Sequence, residues 1–367
     1  MRRGYGSPRR QKGGAVVKFK LREFLKKFLK RFESKSIGID LGTATVLVYV
    51  EDKGIVLHEP SVVAIDTDAD KIIKVGREAQ AMMGRTPDNI KTVRPLKSGV
   101  VAQYEVTLKM LQYFIRRACG DMFFRPRVMI CVPSGISDME KRAVMAAALE
   151  AGGRSVKLIE EPLAAAIGAG VKTGEPEGYL VVDIGGGTTD IAVVSLGGIV
   201  VSESIRVAGD KFDEAIVEYV RKKYKVHIGE RTAEQIKLRI GAVYEHKEPK
   251  VMKVRGRCML EGLPKEITIS SAEMLEATME PIRSIIEAVC RIIERTPPEL
   301  IPDIINNGII MTGGGSQLAG LDLILSDVTG IRAKVAKDPV SCVAIGTGKS
   351  LSKLSYAEDD DESASLS

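Results

Sequence analysis

The pattern of apolar and polar positions changes character along the chain. Residues 1–14 show no apolar period and are rich in Arg, Gly, Ser and Pro, which predicts a disordered basic segment over 1–15. Between 16 and 33, Val17, Leu21, Phe24, Leu25, Phe28, Leu29 and Phe32 recur at helical spacing. Lys18, Lys20, Arg22, Lys26, Lys27, Lys30 and Arg31 fill much of the remainder, so a basic amphipathic helix is expected within 16–35. It has no uninterrupted apolar stretch and no small-residue cleavage site, which excludes a secretory signal. From residue 36 the apolar runs become strand-like. Ser36–Asp40 and Val46–Val50 flank one Gly/Thr turn, and Tyr179–Ile184 and Ile191–Leu196 flank another. Helical stretches are expected at about 105–118, 137–151, 210–223, 232–246, 271–295 and 316–327. Strands mixed with helices of this length predict an α/β fold. An Asp/Glu/Ser tail, 355–367, reads as disordered.

Composition narrows the classes. The 367 residues are enough for a large core. No run approaches the roughly 18–20 apolar residues of a spanning helix. Residues 1–35 carry a net charge of +11 and residues 358–362 one of −5, which leaves the stretch between them neutral. A nucleic-acid protein carries its basic surface on the fold itself, so no nucleic-acid partner is expected. The absence of Trp weakens base stacking further. Five cysteines form no CxxC pair, and three dispersed histidines offer no zinc pattern. The cysteines read as buried small hydrophobes in a reducing compartment.

One unit occurs twice: apolar strand, Asp, Gly-rich turn with Thr, apolar strand. The copies begin at Asp40 and Asp183, which suggests two related lobes that each contribute a turn. Asp40-Leu-Gly-Thr-Ala-Thr45 lies between strands, so it is neither a Walker A loop nor a dinucleotide fingerprint. Taken alone it reads as an ordinary hairpin turn. A hairpin with Gly42 can also present backbone N–H groups to a phosphate. Its Asp would repel that phosphate unless a cation intervened, and Mg²⁺ binds through one or two carboxylates plus phosphates. Asp183-Ile-Gly-Gly-Gly-Thr-Thr-Asp190 repeats the design with three glycines, which close backbone approach to a ligand explains better than turn geometry. Thr312-Gly-Gly-Gly-Ser316 follows an apolar run and precedes a helical stretch, so a strand feeding a helix N-terminus is expected there. Glu160 and Glu161 precede Pro162 and a small-residue helix. Helix-dipole complementarity accounts for one of them; the other has the character of a water-positioning carboxylate for phosphoryl transfer.

Together these four motifs resemble the ATPase superfamily of actin, heat-shock chaperones and sugar kinases. Gly54-Ile-Val-Leu-His-Glu-Pro-Ser-Val-Val-Ala64, Arg94-Pro-Leu-Lys-Ser-Gly-Val100, Ala208-Gly-Asp-Lys-Phe-Asp213, Ile228-Gly-Glu-Arg-Thr-Ala-Glu234, Arg255-Gly-Arg257 and Gly262-Leu-Pro264 narrow the match. Over about residues 36–352 they resemble the MreB and Mbl bacterial actins. The resemblance implies an actin-like ATPase fold of two related lobes, each of two subdomains, around a nucleotide cleft. Lobe I would span 36–175 with a small subdomain at about 57–95, lobe II 176–330 with one at about 207–270, and 331–354 would return to lobe I. ATP and Mg²⁺ are the implied cofactors. Gly42, Thr43, Ala44 and Thr45 would form the first phosphate loop, and Gly185, Gly186, Gly187 and Thr188 the second. Glu234, Gln235, Ile236 and Lys237 would reach the ribose or adenine, and Gly313, Gly314, Gly315 and Ser316 would support the adenosine. Asp40 and Asp183 would hold Mg²⁺ mainly through water, while Glu161 and Thr188 would position the attacking water. Thr45 stands where the family usually has Asn, and so does His58.

The resemblance further implies filaments of paired protofilaments, a place on the inner face of the cell membrane, and partnership with cell-wall elongation proteins. The helix at 16–35 fits an anionic membrane surface, because seven apolar residues on one side exceed what a phosphate-binding arm needs. Phe123 and Phe124, in the Met122-Phe123-Phe124 cluster, read equally as local core packing or as a membrane-inserting loop. Two other functions share the phosphate motifs. A chaperone would need a C-terminal substrate domain, and the chain ends soon after Gly315. A small-molecule kinase would need a catalytic Asp aimed at a substrate hydroxyl, and none is identifiable.

Overall fold

The computed structural model describes residues 36–97, 100–120, 125–244 and 249–351. The predicted basic segment and amphipathic helix, Phe123 and Phe124, and the acidic tail lie outside these residues.

The first sheet is built from β1 (Ser36–Leu41), β2 (Thr45–Val50), β3 (Gly54–Pro60), β4 (Arg127–Val132) and β5 (Ser155–Glu160), in the order β5-β4-β1-β2-β3. β1, β4 and β5 run parallel; β2 turns back antiparallel to β1, and β3 antiparallel to β2. The second sheet is built from β6 (Tyr179–Ile184), β7 (Thr189–Ser195), β8 (Gly198–Ile205), β9 (Ile309–Thr312) and β10 (Ala333–Val335), in the order β8-β7-β6-β9-β10. Its directions repeat those of the first. β1 corresponds to β6, β2 to β7, and so on through both sheets. The strand–Asp–turn–strand unit is therefore the most visible part of a duplicated lobe. β7 is buried along its whole length and β6 nearly so, which is why both read as continuous apolar runs and not as alternating ones.

Five helices place the site: α1 (Glu161–Gly168), α2 (Gly209–Tyr224), α3 (Glu230–Ile240), α4 (Ser271–Arg295) and α5 (Cys342–Lys349). α1 packs on β6 and β7, α5 packs on β1, β2 and β4, and the two helices pack on each other between the sheets. A Cβ on Gly168 would lie 1.8 Å from the Cys342 carbonyl oxygen, and one on Gly346 1.8 Å from that of Ala164. The small-residue run after Pro162 thus lets the helices cross backbone to backbone. Ala164, Ala165, Cys131, Val181, Ala192 and Val343 form the apolar cluster joining the lobes. Each lobe has its own core, around Ile39, Val48, Phe114 and Ile130 in one and Val182, Ile184, Ile285 and Val289 in the other. A three-stranded antiparallel sheet (63–66, 71–75, 90–93) accompanies the first lobe. Another (226–227, 251–258, 264–270) accompanies the second, with α2 and α3 over it.

α4 occupies the stretch its periodicity predicts, and Ser270 and Glu273 form a capping box at its start. Two expected helices differ. The one expected at 232–246 ends at Ile240, because the chain turns at Gly241 and Val243 N–H donates to the Ala319 carbonyl. The one expected at 316–327 begins only at Leu321, after a short 3-10 turn at Gly314–Gln317 and Gly320 at φ +88°. The strand-to-helix platform expected at Thr312–Ser316 is therefore a tight turn.

Candidate functional site

Two turns, one from each lobe, meet face to face. Gly42–Ala44 joins β1 to β2, and Gly185–Thr188 joins β6 to β7. A Cβ on Gly186 would come within 2.6 Å of the Ala44 Cβ, and one on Gly187 within 2.7 Å of Thr43 Oγ1. Any side chain at 186 or 187 would push the turns apart. Ligand approach is the reason the motif suggests for these glycines; contact with the opposite hairpin comes first. Gly42 is tight within its own turn, where a Cβ would meet the Thr45 carbonyl at 2.7 Å.

Four carboxyls gather beside the turns. Asp40 lies near the end of β1, and its Oδ1 accepts from Cys131 Sγ at 3.3 Å. Asp183 lies near the end of β6, and its Oδ1 accepts from Thr312 Oγ1 at 2.6 Å. Asp190 stands directly opposite Asp183 in the antiparallel ladder, where like charges repel. Its Oδ1 accepts from the Ser134 N–H at 2.9 Å and the Ser134 hydroxyl at 3.2 Å, across the lobes. Glu161 is the first residue of α1, buried, with Pro162 fixing the first turn.

Burial is the leading cause that raises all four. It pushes Asp40 up to about 6 and Asp183 up to about 7. Glu161 rises well above the usual carboxylate range, through burial first and then the charges of Asp190, Asp183 and Asp40. Asp190 also rises, against the hydrogen bonds from Ser134 that favour its charge. Hard oxygen donors crowded in a dry cleft suit a cation. Among the described residues, no three metal-ligating side chains converge closely enough to form a cage. One or two carboxylates beside phosphate-sized turns are the donor set Mg²⁺ takes, its shell completed with water and phosphate oxygens.

The other motif residues take varied positions. Thr43 and Thr188 are buried, Ala44 and Thr45 half-buried, and the Ala44 carbonyl accepts from the Ser61 N–H at 3.0 Å. Gly313, at φ +79°, packs against the Ile184 backbone, and Gly315 against the Ile184 side chain. Gly314 has open space beside it. Ser316 is buried and donates to the Gly313 carbonyl at 2.7 Å. Glu234 is half-buried and Gln235 exposed, while Ile236 lies wholly in the core of the small sheet. Ile236 lies mid-helix with no exposed surface, backbone included, so it offers a ligand no contact here. Lys237 Nζ is engaged by the Gly209 carbonyl at 2.9 Å and by Asp213 Oδ2 at 2.8 Å. Gly209 N–H in turn donates to the Gly185 carbonyl at 3.1 Å, so α3 is tied to the second turn.

Sequence reasoning gave no role to Asp190, Ser134, Cys131 or the Thr312 hydroxyl. Asp190 closes the quoted motif, and that was its signal. The others meet their partners 56, 91 and 129 residues away, where no local pattern reveals them.

The family model described as MreB/Mbl protein matches residues 34–359. The chain belongs to the MreB/Mbl family. It is 51% identical over 322 residues to the cell shape-determining protein Mbl of Bacillus subtilis, covering 88% of this chain and 97% of that protein. It is 51% identical over 336 residues to the cell shape-determining protein MreB of Escherichia coli, covering 90% and 96%. Among solved structures, MreB5 of Spiroplasma citri bound to AMPPNP matches with a TM-score of 0.85 at 38% identity, covering 89% of this chain and 99% of that one. The ADP-bound structure of the same protein matches with the same score. The actin-like fold with two related lobes is thus established for this member of the family. Among the described residues, no helix is long and apolar enough to cross a membrane.

Proposed function

We propose that this chain is an ATPase that binds Mg·ATP between its lobes, assembles into membrane-bound filaments and governs cell shape by organising wall synthesis. The observation that carries the reading is the meeting of the two hairpins, Thr43 and Ala44 against Gly186 and Gly187, beside the buried carboxyls of Glu161, Asp183 and Asp190 and the half-buried one of Asp40. The nucleotides held by the Spiroplasma relative support it.

In this reading the backbone N–H groups of Gly42–Thr45 and Gly185–Thr188 cradle the phosphates from opposite sides. Glu234 and Gln235 face the ribose or adenine. Lys237 acts from beneath by holding Gly209 and Asp213 in place. Gly314 offers open backbone to the adenosine, and Gly313, Gly315 and Ser316 shape that turn. Asp40 and Asp183 would hold Mg²⁺ through water; when bound, it supplies positive charge to the phosphates. Cys131 and Thr312 orient these two carboxylates. Glu161, once ionised, accepts a hydrogen bond from the attacking water, and the Thr188 hydroxyl supplies a second contact.

Self-assembly, the inner membrane face and wall-elongation partners complete the proposal. The membrane part rests on the sequence of 16–35. Val17, Leu21, Phe24, Leu25, Phe28 and Phe32 sink into the headgroup boundary, and the flanking Lys and Arg stay at the surface. Each basic residue near an anionic leaflet adds about 1 kcal/mol, and salt screens it. Retention therefore depends on the apolar side. A Phe24→Asp/Phe28→Asp double variant is expected to lose most co-sedimentation with anionic vesicles at high salt, leaving what Phe123 and Phe124 provide. Undiminished pelleting of that variant would overturn the anchor assignment and leave the basic segment to be read as a protein-partner or nucleic-acid arm.

A further inference from the structure

Arg94 belongs to the first lobe, directly after the Ile90–Val93 strand of its small sheet. Its Nη1 donates to Asp210 Oδ1 at 3.1 Å. Asp210 is the second residue of α2, in the other lobe. The Asp210 N–H donates to the Gly186 carbonyl at 2.7 Å, and the Gly209 N–H to that of Gly185 at 3.1 Å. These two bonds sew the start of α2 to the second glycine turn. Lys237 holds the same start through the Gly209 carbonyl and Asp213.

The first lobe therefore grips the second turn at two places. Ala44 abuts Gly186 directly, and Arg94 reaches the same residue through Asp210. The ion pair is partly shielded, with 30% of the Arg94 side chain and 36% of the Asp210 side chain exposed. A charged hydrogen bond so placed outweighs a fully exposed pair, yet water is at hand to take over both groups when it opens. It also differs from the Ser134–Asp190 tie between the lobes, whose acceptor carboxylate is wholly buried. Of the two ties, this is the one a ligand can lose at little cost.

We infer that the Arg94–Asp210 pair is a clasp between the lobes that positions the second glycine turn and sets how fast a nucleoside diphosphate leaves the cleft. It rests on the nucleotide reading above. Arg94 is a positioning residue: it acts on Gly186 through Asp210 and takes no part in the chemistry. With the pair closed, the first lobe and the second turn move together. With it open, α2 and the turn part from the first lobe, and the phosphates lose half of their cradle.

The test uses the full chain and two readouts. In stopped-flow displacement of a fluorescent ADP analogue, Arg94→Gln is expected to release nucleotide roughly three- to tenfold faster, the worth of a half-exposed charged hydrogen bond. Association stays within about twofold, and Arg94→Lys, which keeps the charge, retains most of the slow release. Release from Arg94→Gln at the parental rate overturns the clasp. Amide hydrogen exchange at Gly209 and Asp210, measured without nucleotide, is expected to quicken in Arg94→Gln and not in Arg94→Lys. Unchanged exchange there also overturns it. A parent chain that binds no nucleotide would refute the nucleotide reading instead, and the exchange comparison would still decide whether Arg94 positions the turn.

Discussion

Replacing Glu161 with alanine is expected to slow ATP hydrolysis by roughly 10²–10⁴-fold, the range for a positioned acid–base group, while nucleotide binding is largely kept. Glu161 starts α1 at the point where β5 ends, and the rigid crossing of α1 on α5 fixes it there. The residue is buried beside Asp190, Asp183 and Asp40, and their charges add to burial in favouring its neutral form. Mg²⁺ held beside Asp40 and Asp183 would offset that repulsion and favour the ionised form of Glu161, which the water-positioning role requires. None of the contacts that hold the two turns together involves its side chain, so binding survives the substitution. Phosphate release at saturating ATP checks the rate, and equilibrium titration checks the affinity. An alanine variant with parental turnover would remove Glu161 from the mechanism.

Asp183→Ala is expected to weaken Mg·ATP binding by at least tenfold and to abolish assembly with it, the loss following from phosphate charge left without its cation. The same carboxyls give the affinity a pH dependence. Asp40 and Asp183 in the ligand-free fold titrate at about 6 and about 7, against an ordinary 3.8. Between about pH 4 and 7 the folded chain holds protons that the unfolded chain has released, so this contribution to stability is present at low pH and lost as pH rises. A cation takes the ionised form. Affinity for Mg·ATP is therefore expected to climb across pH 5.5–7 and level off above it, as titrations at pH 5.5, 6.5 and 7.5 would report. A flat profile would separate these carboxyls from cation binding.

Much of this site could be read before any coordinates, because its parts are local. Asp40 and Asp183 each end an apolar run and precede a Gly/Thr turn, so both hairpins and their duplication are written within a dozen residues each. The Ser270–Glu273 box marks the start of α4 in the same local way. What stayed hidden depends on distant partners. Gly186 and Gly187 look like ligand-facing glycines until Ala44 and Thr43 are seen against them. Cys131 reads as a small hydrophobe, yet its thiol lies on Asp40. Lys237 reads as a ligand contact, yet it is spent on Gly209 and Asp213. The helix expected through residue 246 stops at Ile240, because the segment after Gly241 is captured by Ala319. The third strand of each lobe in chain order, β3 and β8, lies at a sheet edge, is more polar and more exposed than the two strands before it, and so carries a weaker pattern.

Calorimetric titration of the full chain with ATP reads out whether the cleft between the two lobes is a Mg·ATP site. With Mg²⁺ present, saturable binding of one nucleotide per chain is predicted, together with its loss or strong weakening when the metal is chelated. Absence of saturable binding by a folded chain in the presence of Mg²⁺ would mean that the cleft is not a nucleotide site.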